Sequence, residues 1–441
     1  MAVKRAIAAA LAPGRRSATA RGSCLQLDMW RSWSWTGETP SNSDKGSVMP
    51  GIAPDLPLSD PSFYTSDPWD TYRWLRDESP VYWCTRAGFW AITRHEDVLA
   101  VSKDPVTYCN GEGMTMRGGE LSDVQGGTTL ITTDPPRHTS QRALISRAFT
   151  PGAVSQLESH IHDIARRIVD EVPVGEPIDF VESVAAPLPV IVIAELLGVP
   201  LEDRDKFVAW SNASIGVADP EYGRHRDAMM LEQYHYFEQI LRERRRRPVD
   251  DLLSILAGAE VDHEDLTHAD VLALCFLLLA AGNETTRNLI SQGVLALVGH
   301  PDQLDLVRQQ GDVRCAVEEL MRWVSPVIHM ARTVRVGTVV RDVSLQAGQQ
   351  VVLLYGAANR DDRVFGADAD ELIVTRNPNP HLGFGFGTHF CLGAALARLE
   401  AKVVYQELLE RFGNWRVVGP VERLHSTMIL GIRHLPIVLD T

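Results

Sequence analysis

A cysteine closes the stretch His381-Leu382-Gly383-Phe384-Gly385-Phe386-Gly387-Thr388-His389-Phe390-Cys391-Leu392-Gly393. It stands where a glycine-rich loop runs into a helix. Leu392, Leu396, Leu399 and Val403 follow at spacings of four, three and four, an amphipathic stripe. A thiolate at that place is stabilised by the positive helix N-terminus and by loop N–H groups. Glycines let a backbone come close to a flat cofactor, so such a loop can hold a cysteine thiolate against a haem iron. Two other readings compete. A phosphate loop of G-x-G-x-x-G type fails, because the third position after Gly387 is Phe390. A buried structural cysteine stays open for the loop taken alone.

Three further groupings could carry chemistry or hold it in place. Glu284 and Thr285 lie in an apolar segment whose periodicity predicts a helix from about His268 to Val298. An acid, two threonines and Gly282 are awkward guests there. Taken alone they read as a threonine bonded back to the carbonyl four residues earlier, with the acid facing solvent. Glu319 and Arg322 are three apart on one helix face and can pair; a lone pair of this kind is usually at the surface. His138 and Arg142 sit one turn apart after Asp134-Pro135-Pro136, at a helix start marked by proline.

Taken together, these segments resemble one family. Phe384-x-x-Gly387-x-x-x-Cys391-x-Gly393 is similar to the haem-binding signature of the cytochrome P-450 family. Glu319-Leu320-Met321-Arg322 resembles its E-x-x-R helix, Ala281-Gly282-Asn283-Glu284-Thr285-Thr286 its oxygen-activation motif, and His138-x-x-x-Arg142 its haem-propionate motif. The order is the family's own, and the match runs from about Pro57 to the C-terminus.

The resemblance implies a mainly α fold with small β-sheets, and haem b between the long central helix and the cysteine-loop helix. Cys391 is then the axial ligand of the iron, in a cofactor site that includes Phe384 and Gly393. His138, Arg142, Arg332 and His389 face the two propionates, the arginines offering planar donor forks. Gly282 opens the helix groove beside the iron. Thr285 hydrogen-bonds dioxygen, and Glu284 feeds protons from solvent. Glu319, Arg322 and Arg376 form a buried network that holds the cysteine loop, where burial demands full pairing. One stretch departs from the family: Gly366-Ala367-Asp368-Ala369 lacks the expected prolines, which leaves the local loop conformation open.

The implied reaction inserts one atom of dioxygen into a hydrophobic substrate. The chain shows no flavin or nicotinamide motif and no ferredoxin cysteine set, so a ferredoxin and a ferredoxin reductase are implied as separate electron donors. Arg142, Arg147, Arg314 and Arg398 are candidates for a basic docking patch. Two other classes are a haem peroxygenase, whose members tend to lack the acid–alcohol pair, and a non-enzymatic haem sensor.

The elements that must position these residues are mostly helical. Helices dominate from Arg137 to about Trp323, and another is expected from Leu392 to Phe412. Tyr82-Trp83 and Phe89 to Ile92 read as a hairpin. Val334 to Leu354 reads as strands, with turns at Arg341-Asp342 and Ala347-Gly348-Gln349, and Arg332 is expected at a strand start. Ala358 to Pro380 reads as irregular. Six glycines between Asn110 and Gly127 predict a mobile segment and a candidate substrate lid. Met114, Met116, Pro326 to Met330 and Thr427 to Leu430 supply an apolar lining. A hydrophobic substrate follows, a sterol or isoprenoid lipid by likeness to bacterial relatives, with a terpene, fatty acid or secondary metabolite as alternatives.

The whole chain of 441 residues, 45% hydrophobic, suffices for a large core. Residues 1–48 read as a disordered extension, with an organelle transit peptide and an upstream start before Met49 as other readings, and 49–441 as a single domain. A net charge of −14 argues against nucleic acid, which needs clustered cations. The basic run Arg242 to Arg247 complements a helix C-terminus. Six scattered cysteines without a C-x-x-C pair point to a reducing cytoplasm. The longest apolar run, Val271 to Ala281, is shorter than the roughly 18 residues of a membrane span.

Overall fold

The computed structural model describes residues 55–119, 127, 129–215, 218–261 and 264–441. The extension 1–48 and part of the glycine-rich segment lie outside them. The principal helices are α1 (Trp69–Glu78), α2 (His95–Lys103), α3 (Arg137–Ser146), α4 (Glu158–Asp170), α5 (Pro187–Leu197), α6 (Arg204–Ile215), α7 (Arg226–Arg246), α8 (His268–Gly299), α9 (Arg314–Val324) and α10 (Ala394–Arg411). The strands used below are β1 (Val81–Cys84), β2 (Phe89–Ile92), β3 (Tyr108–Cys109), β4 (Pro177–Asp179), β5 (His329–Val334), β6 (Thr338–Val340), β7 (Val343–Leu345), β8 (Gln350–Leu354), β9 (Asn414–Val417), β10 (Glu422–Arg423), β11 (Ile432–His434) and β12 (Pro436–Asp440). The architecture is mainly helical with small sheets.

Helix α8 is the axis of the molecule. Thr267 caps it in a capping box: its hydroxyl accepts the Asp270 N–H, and Asp270 accepts the Thr267 N–H. Its 32 residues give a rod of about 48 Å. It is also long and apolar enough to cross a membrane by length and composition, a property the apolar-run count missed because Asn283, Glu284 and Arg287 interrupt the run. Half of its most apolar window is buried within the protein, as in a core helix. Two glycines on α8 allow close packing. A Cβ on Gly293 would collide with the Tyr405 hydroxyl of α10, which donates to the Leu289 carbonyl at 3.0 Å. A Cβ on Gly282 would press on Ile193 of α5 at 3.3 Å.

The largest sheet has the order β1-β2-β8-β5-β3. Every residue of β8 is buried, as expected for a strand flanked on both sides by β2 and β5. The expected hairpin β1–β2 forms with Val81 opposite Ile92. The turns are as read: Arg341 and Gly348 adopt positive φ between β6 and β7 and before β8. The strand region begins five residues earlier than expected, at His329, so Arg332 lies within β5 rather than at its start. A short helical turn at Tyr355–Ala358 leads into the stretch read as irregular, and another at Asp362–Phe365 interrupts it.

The glycine-rich segment is described only from Asn110 to Gly119 and at Gly127. From Asn110 to Gly119 it is pinned by side chains remote in sequence. Asp134 accepts the N–H groups of Asn110 and Gly111. His329 accepts from Met116 N–H, and Gln350 both accepts from Arg117 N–H and donates to the Thr115 carbonyl. Glycine count predicted mobility because it carries no information about these acceptors.

Candidate active site

The cysteine loop is built from turns that only glycine makes easily. Gly385 and Gly387 have φ of +67° and +72°, and a Cβ on Gly387 would overlap the Ser102 carbonyl of α2. Leu382 N–H is held by Asn359 Oδ1 at 2.7 Å, and Cys391 N–H donates to the Phe384 carbonyl at 2.9 Å. The Phe384 ring is buried and covered by the Arg398 guanidinium at 4.3 Å, which Glu318 grips through both carboxylate oxygens. Burial alone would raise Glu318, but Arg398 and His381 outweigh it and hold its carboxyl well below the usual range.

Cys391 opens onto accessible space, yet protein surrounds it so densely that burial pushes its thiol up. The Gly393 N–H, Arg142 and Arg398 pull the other way. On α8, Leu277, Ala281 and Thr285 keep some exposure at spacings of four along a largely buried helix.

Four cationic or protonatable groups meet beside the loop. His138 and His389 lie with ring centroids 4.2 Å apart. Both ring nitrogens of His138 and Nε2 of His389 are buried with no hydrogen-bond partner among the described residues. Arg332 is buried, donates to the adjacent Ala331 carbonyl at 2.7 Å and lies beside the Tyr355 hydroxyl. Arg142 donates to the Phe390 carbonyl at 2.7 Å. Burial, then the neighbouring positive charge, lowers the pKa of both histidines. Buried donors without acceptors are costly unless a ligand supplies the acceptors. The two carboxylates of a haem b would do so, with the cysteine sulfur as the soft donor for iron, so the residues present fit that group.

Behind the loop stands the expected network. Glu319 and Arg322 are fully buried and joined through two bonds of 2.8 Å. Arg322 also donates to the carbonyls of Asn359, Ala369 and Glu371. Glu319 accepts from Ile373 N–H, Arg376 and Asn379. Arg376 donates to the carbonyls of Phe365 and Asp368. Two arginines thus bind the backbone of the stretch that lacks prolines and define its path. Asn359 and Asn379 were not singled out in the sequence, since an asparagine in an irregular stretch reads as an ordinary turn residue.

On α8 the outcome is mixed. The Thr285 hydroxyl donates to the Ala281 carbonyl at 2.9 Å. Glu284 does not face solvent as expected: it is 1% exposed, paired with Arg287 and accepting from Ser211 of α6 at 3.3 Å. Burial raises its carboxyl and Arg287 opposes the rise. Arg287 escaped the sequence reading, although it stands three residues after Glu284, the spacing that flagged Glu319 and Arg322. At Gly282 the missing side chain lets Ile193 of α5 pack close, since a Cβ there would meet it at 3.3 Å. Among the docking cations, Arg314 is paired with Asp312 and Arg398 with Glu318, which leaves Arg147 exposed and without a partner among the described residues.

An accessible thiol at a glycine-loop exit, flanked by unsatisfied buried donors, defines a haem-thiolate enzyme. The chain belongs to the cytochrome P450 family and is a monooxygenase with haem b as cofactor. The cytochrome P450 family model matches residues 215–431. Among curated relatives, the linalool 8-monooxygenase of Pseudomonas putida is 35% identical, covering 87% of this chain and 98% of its own. The methyl-branched lipid omega-hydroxylase of Mycobacterium tuberculosis is 36% identical over 87% and 96%. The steroid C26-monooxygenase of Rhodococcus jostii is 35% identical over 89% and 87%. Among solved structures, a Mycobacterium marinum cytochrome P450 in complex with pseudoionone matches at a TM-score of 0.81, with 35% identity, 88% of this chain and all of that one covered.

Proposed function

We propose that Cys391 is the axial thiolate of the haem and that the enzyme hydroxylates the end of an extended isoprenoid or sterol chain. The observation that carries the first part is that Cys391, Arg142 and Arg332 stand with the unsatisfied ring nitrogens of His138 and His389 at one end of the glycine loop. When bound, the haem supplies dioxygen activation, to which thiolate ligation lends electron density.

The rest of the work falls to the chain. Arg142, Arg332, His138 and His389 hold the propionates. Phe384 and Gly393 shape the sides of the sulfur. Thr285, once its hydroxyl turns from the Ala281 carbonyl, holds a proton toward the reacting oxygen. Glu284, next to Thr285 in sequence and held by Ser211 and Arg287, would supply the acid from which that proton is replaced. The buried acid beside the alcohol favours reductant-driven turnover over peroxygenase or sensor roles. Residues 49–441 act as one catalytic unit, with 1–48 an extension. A ferredoxin, reduced by its reductase, delivers electrons at the cysteine-side face where Arg147 is free. The free cysteines Cys84, Cys109, Cys275, Cys315 and Cys391 suit a cytoplasmic setting.

Support for the substrate comes from the lining. Met114, Val327 and Met330 pack with Leu424, Met428 and Ile429 in one apolar cluster that also includes Tyr222. Met116 is not part of it: that side chain is fully buried beneath, with Leu58 and Tyr64. The relatives' names include a branched lipid and a steroid, both with hydrocarbon chains. Burying such a chain gains about 25 cal/mol per Å², enough for tight binding with few polar contacts. Spectral titration tests this. Cholestenone or a methyl-branched fatty acid should shift the haem from low to high spin, and product analysis should find a terminal hydroxyl. Tight shifts with small terpenes alone would reject the lipid assignment.

A further inference from the structure

A cavity of about 150 Å³ lies away from the cysteine, where the start of α1, the end of α8 and the end of α9 meet the β10–β11 hairpin. Asp67, Trp69, Gln292, Trp323, Arg360 and Arg423 are among its walls. Its charge is unbalanced. The Arg360 guanidinium is 3% exposed and sandwiched between the Trp69 and Trp323 rings, with centroids at 3.7 and 3.8 Å. Both faces are therefore closed, and only the edge is left for hydrogen bonds. That edge is poorly served: Nε has no partner, and Nη2 reaches the Trp323 carbonyl at 3.3 Å. The nearest carboxylate is Asp370 at 3.9 Å, which Arg73 and Arg76 also share.

Arg423, half-buried on β10, has no hydrogen bond or ion pair among the described residues. The two cavity-lining arginines, Arg360 and Arg423, thus depend on two carboxylates, Asp370, which Arg73 and Arg76 share, and Asp67. The second of these, Asp67, sits at the exposed mouth with its Oδ1 taken by the Trp69 N–H. Burial lowers both cavity-lining arginines, Arg360 to about 9. Protein side chains bury cations when an anion accompanies them.

We propose that this cavity binds a small oxyanion, a carboxylate or a phosphate, between the Arg360 edge and the Arg423 fork. Arginine forks match both groups through two parallel N–H donors. The Gln292 amide, which donates to the Leu430 carbonyl, lies between this cavity and the hairpin tip that carries Met428 and Ile429. An oxyanion here would therefore brace the hairpin base.

The test is thermal unfolding of the haem-loaded enzyme in sodium acetate or sodium phosphate, against sodium chloride at matched ionic strength. A saturable rise in Tm beyond chloride is expected. A rise with acetate alone assigns a carboxylate, with phosphate alone a phosphate ligand, and with both a general oxyanion site. Arg423→Gln should weaken the apparent affinity roughly tenfold, the loss of one charge-assisted bond. Asp67→Asn should tighten it by removing a repelling charge. No saturable rise in either salt, or an affinity unchanged in both variants, would overturn the site.

Discussion

The Thr285 hydroxyl donates to the Ala281 carbonyl at 2.9 Å, while part of its surface stays accessible. Thr285→Ala should leave haem loading, substrate binding and reductant consumption intact. Product per reductant should fall roughly tenfold, as the loss of one hydrogen bond to a charged group would give. The difference should appear as peroxide or water. Equal coupling in variant and parent would remove Thr285 from the chemistry. A second residue gives a pH signature. Glu400 of α10 is buried with no ion pair or hydrogen bond among the described residues, and burial pushes its carboxyl up to about 8. In the unfolded chain it titrates near the ordinary value of about 4.3. The folded state keeps a proton that the unfolded state releases, so its contribution is full below about 4.3 and is lost as pH rises through about 8. Glu400→Gln should therefore stabilise by on the order of 2–4 kcal/mol at pH 8 and hardly at all at about pH 4.5. A pH-independent effect in calorimetry would contradict the assignment. Residue spacing made the Glu319–Arg322 pair readable. It could not reveal that Glu284 turns inward, because a helix position does not state which neighbour it faces.

Elements decide how the cysteine loop keeps its shape. Helix α9 carries Glu319 and Arg322, and these bind backbone and side chains that approach from residues 359 to 379. Removing one partner strands a fully buried charge, at a cost of roughly 3–5 kcal/mol. Glu319→Ala is expected to be mostly apo or aggregated, whereas exposed Arg314→Ala should load haem normally. Normal haem content and melting temperature for Glu319→Ala would show that the network does not hold the loop. The helices themselves were legible because their signals are local: the apolar period of α8 and the basic last turn of α7. The glycine-rich segment was not, since Asp134, His329 and Gln350 come from elsewhere in the chain. Gly282 shows the same limit from the other side. Ile193 lies on α5, far from Gly282 in sequence, and only the packing of α5 on α8 brings the two together.

At the scale of the whole molecule, α3, β5 and the loop from His381 to Gly393 bring His138, Arg142, Arg332 and His389 together. The family's motifs named these residues in advance. The charge balance of the distal arginines was not legible, because it depends on which carboxylates lie within reach after folding. The most direct measurement is the reduced carbon-monoxide difference spectrum of the purified enzyme beside Cys391→Ser. The parent should show the long-wavelength band of thiolate ligation, and the variant should lose it while keeping its fold by circular dichroism. A variant whose band is unchanged would contradict Cys391 as the ligand, and with it the site described here.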